Sequence, residues 1–396
     1  MLSEKMLELG TKRSVIRDLF EFAKERKAEI GEDKVFDFSI GNPSVPAPAC
    51  VQEAVEAVMR EVDPVLLHGY TSAQGDAGLR QAIADHVNTR HGTSLTADNL
   101  YITVGAAASL SITLKALAEE DDEVIVFAPF FPEYRVFVEN AGSRLVVVDS
   151  DPKDFQIDQE ALEAAVTEHT KAVILNSPNN PSGVVIHEEG IRQMCAMLGK
   201  KQKEYGHPIF LITDEPYREL VYDGVEVPYL MNYYDNTIVC YSYSKSLSLP
   251  GERIGYIAVS GRAVQWQQIY AAVCGAGRAL GYVCAPSLFQ QVVKRCQGQT
   301  ADVSVYKRNR DLLYQALTEY GYRCIRPDGA FYLFVESLEE DAGAFSERAK
   351  EYELLLVPAD SFGTPGFVRI SYCVSTEQIE RALPAFKALA QAYGKS

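Results

Sequence analysis

The chain has 396 residues, 47% hydrophobic and 23% charged, with a formal net charge of −16, so it can build a large core in about two domains, while its acidity works against nucleic acid or anionic lipid as a partner. No apolar run reaches the ~18 residues of a membrane-spanning helix, and six histidines without H-E-x-x-H or similar spacing give no reason to expect a metal. Eight cysteines from Cys50 to Cys373, none in a C-x-x-C pair, read as reduced thiols and place the protein in the cytoplasm.

The opening stretch, MLSEKMLELGTKRSVIRDLF, carries acids among its apolar positions and is expected to form an amphipathic helix, not a signal peptide. Short apolar runs then alternate with helical stretches: NLYITVG (99–105), DEVIVFAP (122–129), SRLVVVD (143–149), KAVILNSP (171–178), PIFLITDE (208–215), TIVCYSYS (237–244) and RIGYIAVS (253–260). Segments such as SLSITLKALAE and DQEALEAAVTEH between them repeat apolar residues at three and four. Near-continuous β-branched strands separated by helices predict a mostly parallel sheet covered on both faces. Ligands bind such sheets at the carboxyl ends of the strands. After about residue 290 the runs GYRCIRPDGAFYLFVES, ELLLVPADSFG and PGFVRISYCV predict a smaller sheet, closed by the helix TEQIERALPAFKALAQAY. The N-terminal helix and VFDFSIGNPSVPAP are expected to join it. The division is therefore a large domain of residues 46–290 flanked by a small one made of 1–45 and 291–396.

Four strand ends carry polar groups that a core would not choose. At Gly105, with Ala106 and Ala107 following, open backbone N–H groups at a helix start suit an anion, although a tight turn would look the same. In NSPNNPSG, Asn180 can donate to a phenolate-like oxygen; a β-turn explains the N-P step but not its place at a strand end. In IFLITDEPYREL, a buried Asp214 needs a cationic partner or it protonates. Either a pyridinium or an unseen arginine would serve, and Tyr217 follows three residues on. In SYSKSLSLPGERIGY, Lys245 ends a buried run, where lost hydration frees its lone pair for a carbonyl. Ser242 and Arg253 beside it offer what a phosphate needs. Alone the S-x-x-K could be a solvated turn. An amine and a phosphate site together point to an aldehyde cofactor carrying a phosphate, pyridoxal phosphate being the obvious case.

In these motifs, and over essentially its whole length, the chain resembles the class I/II aminotransferases, fold-type I pyridoxal-phosphate enzymes, in their aspartate aminotransferase-like branch. GYTSAQGDAGLR with Tyr70, APFF with Phe131 and FVRIS with Arg369 add to NNPSG, D-E-P-Y and S-Y-S-K with Arg253. The resemblance implies an α/β fold with a seven-stranded sheet in the large domain and an α+β small domain. It also implies roles. Lys245 would bond the cofactor as a Schiff base and later carry a proton; Asp214 would pair with the pyridine nitrogen; Asn180 and Tyr217 would bind the phenolic oxygen. Phe131 would stack on the ring, and Gly105, Ala106, Ala107, Ser242 and Arg253 would hold the phosphate, joined by Tyr70 from a second subunit of a homodimer. Arg369, with Gly41 and Asn180, would grip the substrate α-carboxylate. Arg278, in CGAGRALGYVCAPS, would reach a distal carboxylate from the neighbouring subunit, with Arg13 and Arg17 as rivals for that role. Ala107 departs from the family, many members having a hydroxyl there. The implied activity is transfer of an amino group from an L-amino acid, aspartate or another dicarboxylate first, to a 2-oxo acid by a ping-pong cycle. A Cβ–S lyase on the same fold is the alternative, and a non-catalytic cofactor-binding regulator a more remote one.

Overall fold

The computed structural model describes residues 2–11 and 14–395. The start of the chain forms two helices in place of the single one expected, Glu4–Thr11 and Val15–Ile30. Ser14 explains the restart. Its hydroxyl accepts from the Arg17 N–H and caps the second helix, which buries Leu19 and Ala23, whereas no residue of Glu4–Thr11 is buried. Arg13 lies outside the described residues.

Strand β1 (Phe36–Asp37) is short. The seven apolar runs then form β2 (Leu100–Thr103), β3 (Glu123–Ala128), β4 (Arg144–Asp149), β5 (Thr170–Asn176), β6 (Phe210–Asp214), β7 (Thr237–Ser242) and β8 (Gly255–Val259), in one sheet of order β2-β8-β7-β6-β5-β3-β4. All neighbours are parallel except β8, which runs antiparallel to β2 and β7. Period-two alternation explains why both faces are apolar: Val124 and Val126 pack under helices Ala106–Leu117 and Trp266–Ala279, while Ile125 and Phe127 face the core that holds helix Glu188–Tyr205. The mixed α/β architecture with a seven-stranded, mostly parallel sheet is as expected.

The later strands β9 (Tyr332–Glu336), β11 (Val357–Pro358) and β12 (Phe367–Ser371) form an antiparallel three-stranded sheet of order β11-β12-β9. Strand β10 (Leu354–Leu355) pairs in parallel with β1, matching Phe36 with Leu354 and Asp37 with Leu355. The segment after β1 thus runs beside the later strands: the Ser371 N–H donates to the Phe38 carbonyl at 2.9 Å. This brings Ser39 and Gly41 against β12 and the carboxyl edge of the large sheet.

Candidate active site

At the end of β2, Gly105 has φ +102° and caps helix Ala106–Leu117. A Cβ on it would lie 2.7 Å from Arg253 Nη2, so the guanidinium can approach this turn only because the residue is glycine. Arg253, itself left-handed at φ +49°, donates from Nη1 to the Pro250 carbonyl at 2.9 Å and to Ser244 Oγ at 3.4 Å. Ser242 Oγ accepts from the Ser244 N–H and donates to Ser244 Oγ at 2.7 Å. A helix N-terminus, a guanidinium and two serine hydroxyls therefore meet in one corner, as an anion would require. Ser244, which the sequence reading left out, is the hydroxyl to which Arg253 donates. Ala106 and Ala107 contribute backbone only.

Lys245 lies in the short helix Tyr243–Ser246 that Ser242 caps. Its Nζ donates to the Gly41 carbonyl at 2.6 Å and lies 5.2 Å from the centre of the Phe331 ring. It forms no ion pair among the described residues. Burial lowers its pKa to about 8; Cys373 opposes this, and the charges of Arg253 and Arg369 add to it. A free amine is thus within reach at neutral pH.

Asp214, at the end of β6, is 5% exposed. Its Oδ2 accepts from the Tyr134 hydroxyl at 2.6 Å, while its Oδ1 is buried without a partner. Burial raises its pKa to about 7, against the Tyr134 hydrogen bond and with help from Glu215. A carboxylate in that state calls for a cationic N–H donor at Oδ1. Asn176 ties this strand end to the next: its Nδ2 donates to the Asp214 carbonyl at 2.8 Å and its Oδ1 accepts from the Asn180 N–H at 2.7 Å. Phe131 is partly buried and meets the Tyr134 ring edge-on at 5.7 Å.

On the opposite wall, Arg369 of β12 is 2% exposed. Its Nη1 donates to Asn180 Oδ1 at 3.2 Å and its Nη2 to the Ser39 carbonyl at 2.5 Å; Nε has no partner. The Tyr332 and Phe362 rings lie 4.7 and 5.2 Å from it. No carboxylate balances this buried cation among the described residues, so it is poised for an anionic ligand. Tyr217 and Tyr332 share a hydroxyl–hydroxyl hydrogen bond of 2.9 Å, and Gly41 makes room for the Tyr332 ring, whose hydroxyl a Cβ would strike.

Lys245, Asp214, Tyr217, Asn180, Arg253, Arg369 and Gly41 thus line one edge of the sheet. Two expected residues are not brought in. Tyr70 is 97% exposed, and Arg278 stands exposed in the last turn of helix Trp266–Ala279, without an ion pair among the described residues. Arg17 is also exposed. Tyr134, Asn176 and Tyr332 were missed. Each has a polar tip inside an apolar run, FFPEY, VILN and GAFYLF, the same signal that exposed Asp214.

A parallel sheet with a free amine, an anion corner and a half-satisfied carboxylate at its carboxyl edge defines an enzyme of the fold-type I class. The family model described as aminotransferase class I and II matches residues 33–386, and the chain belongs to that family. The crystal structure of an amino transferase from Eubacterium rectale is 58% identical with a TM-score of 0.98, covering 100% of both chains. The aspartate aminotransferase of Thermotoga maritima is 31% identical over 391 residues, 97% of each chain. Aromatic-amino-acid aminotransferase 2 of Thermococcus litoralis is 29% identical, covering 93% of this chain and 94% of its own.

Proposed function

We propose that this aminotransferase works with pyridoxal 5′-phosphate, in a ping-pong cycle that takes an amino group from an L-amino acid and gives it to a 2-oxo acid. The observation that carries this reading is the buried Asp214 with one carboxylate oxygen free, at the same sheet edge as a lysine whose pKa burial has lowered. Bound there, the cofactor would supply an aldehyde to accept the amino group and a ring to spread the electrons of the substrate Cα.

The chain's own groups do the rest. Lys245 Nζ would move the proton to and from the substrate Cα, its lowered pKa leaving it free to accept one. Asp214 Oδ1, buried without a partner, would accept from the ring N–H of the cofactor. Asn180 presents its Oδ1 to Arg369, which leaves its Nδ2 to donate to the phenolic oxygen. Tyr217 can accept from Tyr332 and donate to the same oxygen. Phe131 would cover the ring face. Gly105, Ala106, Ala107, Ser242 and Arg253 would hold the phosphate. Arg369, fixed by Asn180 and Ser39, would orient the α-carboxylate beside the Gly41 backbone.

The functional unit in this reading is a homodimer, supported by the 97% exposure of Tyr70, whose side chain makes no hydrogen bond among the described residues. The amino donor is aspartate or another dicarboxylate, with Arg278 of one subunit reaching the other's site; relatives named for aspartate and for aromatic amino acids are about equally similar. The division into 1–45 with 291–396 and a large domain of 46–290 is supported by the pairing of β1 with β10. The test is turnover of purified enzyme with an amino donor, with and without 2-oxoglutarate. Product formation must require the oxo acid; turnover without any acceptor would favour elimination chemistry instead.

A further inference from the structure

Behind the strand ends lies a cavity of about 220 Å³, outside the machinery described above. One wall is the segment that follows Asp214, with Glu215, Arg218 and Glu219; the other presents the rings of Tyr229, Tyr241, Tyr243 and Tyr256. The charges do not cancel. Arg218 is spent on Glu215, with Nη2 to Oε1 at 2.7 Å, and on the Val227 and Pro228 carbonyls at 3.0 and 3.1 Å; it is 5% exposed and Glu215 1%. His91, stacked on Tyr229 with ring centres 4.2 Å apart, is kept neutral by burial and by Arg218 and Arg90, which push its pKa to about 3; burial lowers His86 as well. Arg90 is exposed, so solvent screens it.

That leaves Glu219. It forms no ion pair among the described residues and its Oε2 is buried without a hydrogen-bond partner; burial raises its pKa, against the nearby charge of Arg218 and a hydrogen bond from Tyr241. The Tyr229 hydroxyl, on a residue only 4% exposed, is likewise unpartnered. A buried carboxyl of this kind gives up its proton only to a cation, and as a carboxylate it repels an anion. The other wall carboxylate is already paired with Arg218, so a divalent ion would lack the several carboxylate oxygens it prefers. A buried carboxyl oxygen and an unpartnered phenol oxygen lining one cavity suit a single positive charge.

We propose that this cavity binds a weakly hydrated monovalent cation, either an alkali ion of potassium size and not lithium, or an alkylammonium, on Glu219 Oε2 and the Tyr229 hydroxyl. The wall segments alternate with the active-site ones: Glu215 and Arg218 flank Tyr217 and follow Asp214, and Tyr241 and Tyr243 flank Ser242 just before Lys245. A bound cation would brace both segments from behind. The binding itself does not depend on the proposed amino donor or cofactor.

The test is the thermal midpoint of the holoenzyme in lithium chloride, titrated at constant ionic strength with potassium chloride or with tetramethylammonium chloride, which cannot condense with an aldehyde. A saturable rise of a few degrees with either salt is expected, and which salt acts identifies the source of the charge. Glu219→Gln should abolish the response and unfold at a higher temperature than wild type in lithium alone, because the unpaired carboxylate is gone. Tyr229→Phe should keep the carboxylate but weaken the response several-fold in midpoint concentration. It also serves if the glutamine variant fails to fold. No response in the wild type, or equal responses in the wild type and both variants, would overturn the site.

Discussion

Arg369 and Arg278 carry the same guanidinium in opposite settings. Arg369 is 2% exposed, held by Asn180 and Ser39 and set between two aromatic rings. Arg278 stands exposed at a helix end with no ion pair among the described residues, on a surface that also offers Tyr282 and Val283 to solvent. The first belongs to a buried wall; the second, like Tyr70, to an exposed rim of the molecule. Groups of the wall show their function by costly burial without a matching partner. Groups of the rim show nothing by their energetics, and only the chemistry of a substrate or a second subunit would give them a role.

The sharpest way to break this contrast is to cut the wall. Lys245→Ala is expected to lose at least ~10³-fold of turnover, because in the proposed mechanism one amine would serve both as the cofactor's anchor and as the proton carrier. The cofactor's absorbance in the protein should lose its lysine-bound band. A variant with near wild-type turnover and spectrum would remove Lys245 from the mechanism. Asp214→Asn comes next, with a loss of about 10²–10³-fold and with cofactor still bound, since an amide offers Oδ1 no charge for a ring cation. Unchanged single-turnover proton abstraction would make Asp214 structural.

The burial of these two residues was legible because its signal is local: each charge closes an apolar run, IFLIT or TIVCYSYS, that the fold buries. The seven strands were legible for the same reason, each being a continuous apolar run. What was not legible depends on distant pairing. Ser39 reaches Arg369 across 330 positions and Tyr332 reaches Tyr217 across 115, and no local pattern announces either. The break in the N-terminal helix was readable in principle, since serine favours helix starts, but the acidic and apolar pattern ran straight through it.

The rim yields the next effect. Arg278→Ala is expected to lower kcat/KM for aspartate by about 10²-fold, roughly the 3 kcal/mol of a charge-assisted bidentate contact. Alanine and phenylalanine as donors should be almost unaffected. Equal losses for aspartate and alanine, or a wild-type enzyme preferring aromatic donors, would leave Arg278 a surface residue and confine specificity to the wall.

The smallest effect separates two groups inside the wall itself. Tyr134 donates to Asp214 Oδ2 at 2.6 Å and is buried beside Phe131. That hydrogen bond holds the Asp214 pKa down, while burial, the larger influence, drives it up to about 7. In the cofactor-free protein, a carboxyl whose folded pKa lies above its unfolded value of 3.8 binds more protons when folded. Its contribution to stability is fully present below about pH 4 and is lost as pH rises through about 7. Tyr134→Phe removes the opposing hydrogen bond, so the folded pKa should climb further and the upper edge of that window should move to higher pH. Asp214→Asn should flatten the same window. Thermal midpoints of the three cofactor-free proteins between pH 4 and 9 would display the order, after subtracting what the asparagine variant still shows. With cofactor bound, the phenylalanine variant should lose about tenfold in kcat/KM, the lower end of what one hydrogen bond to a charged group contributes. Superimposable pH curves for wild type and Tyr134→Phe would mean that the phenol merely fills space, and that Asp214 owes its charge to the cofactor alone.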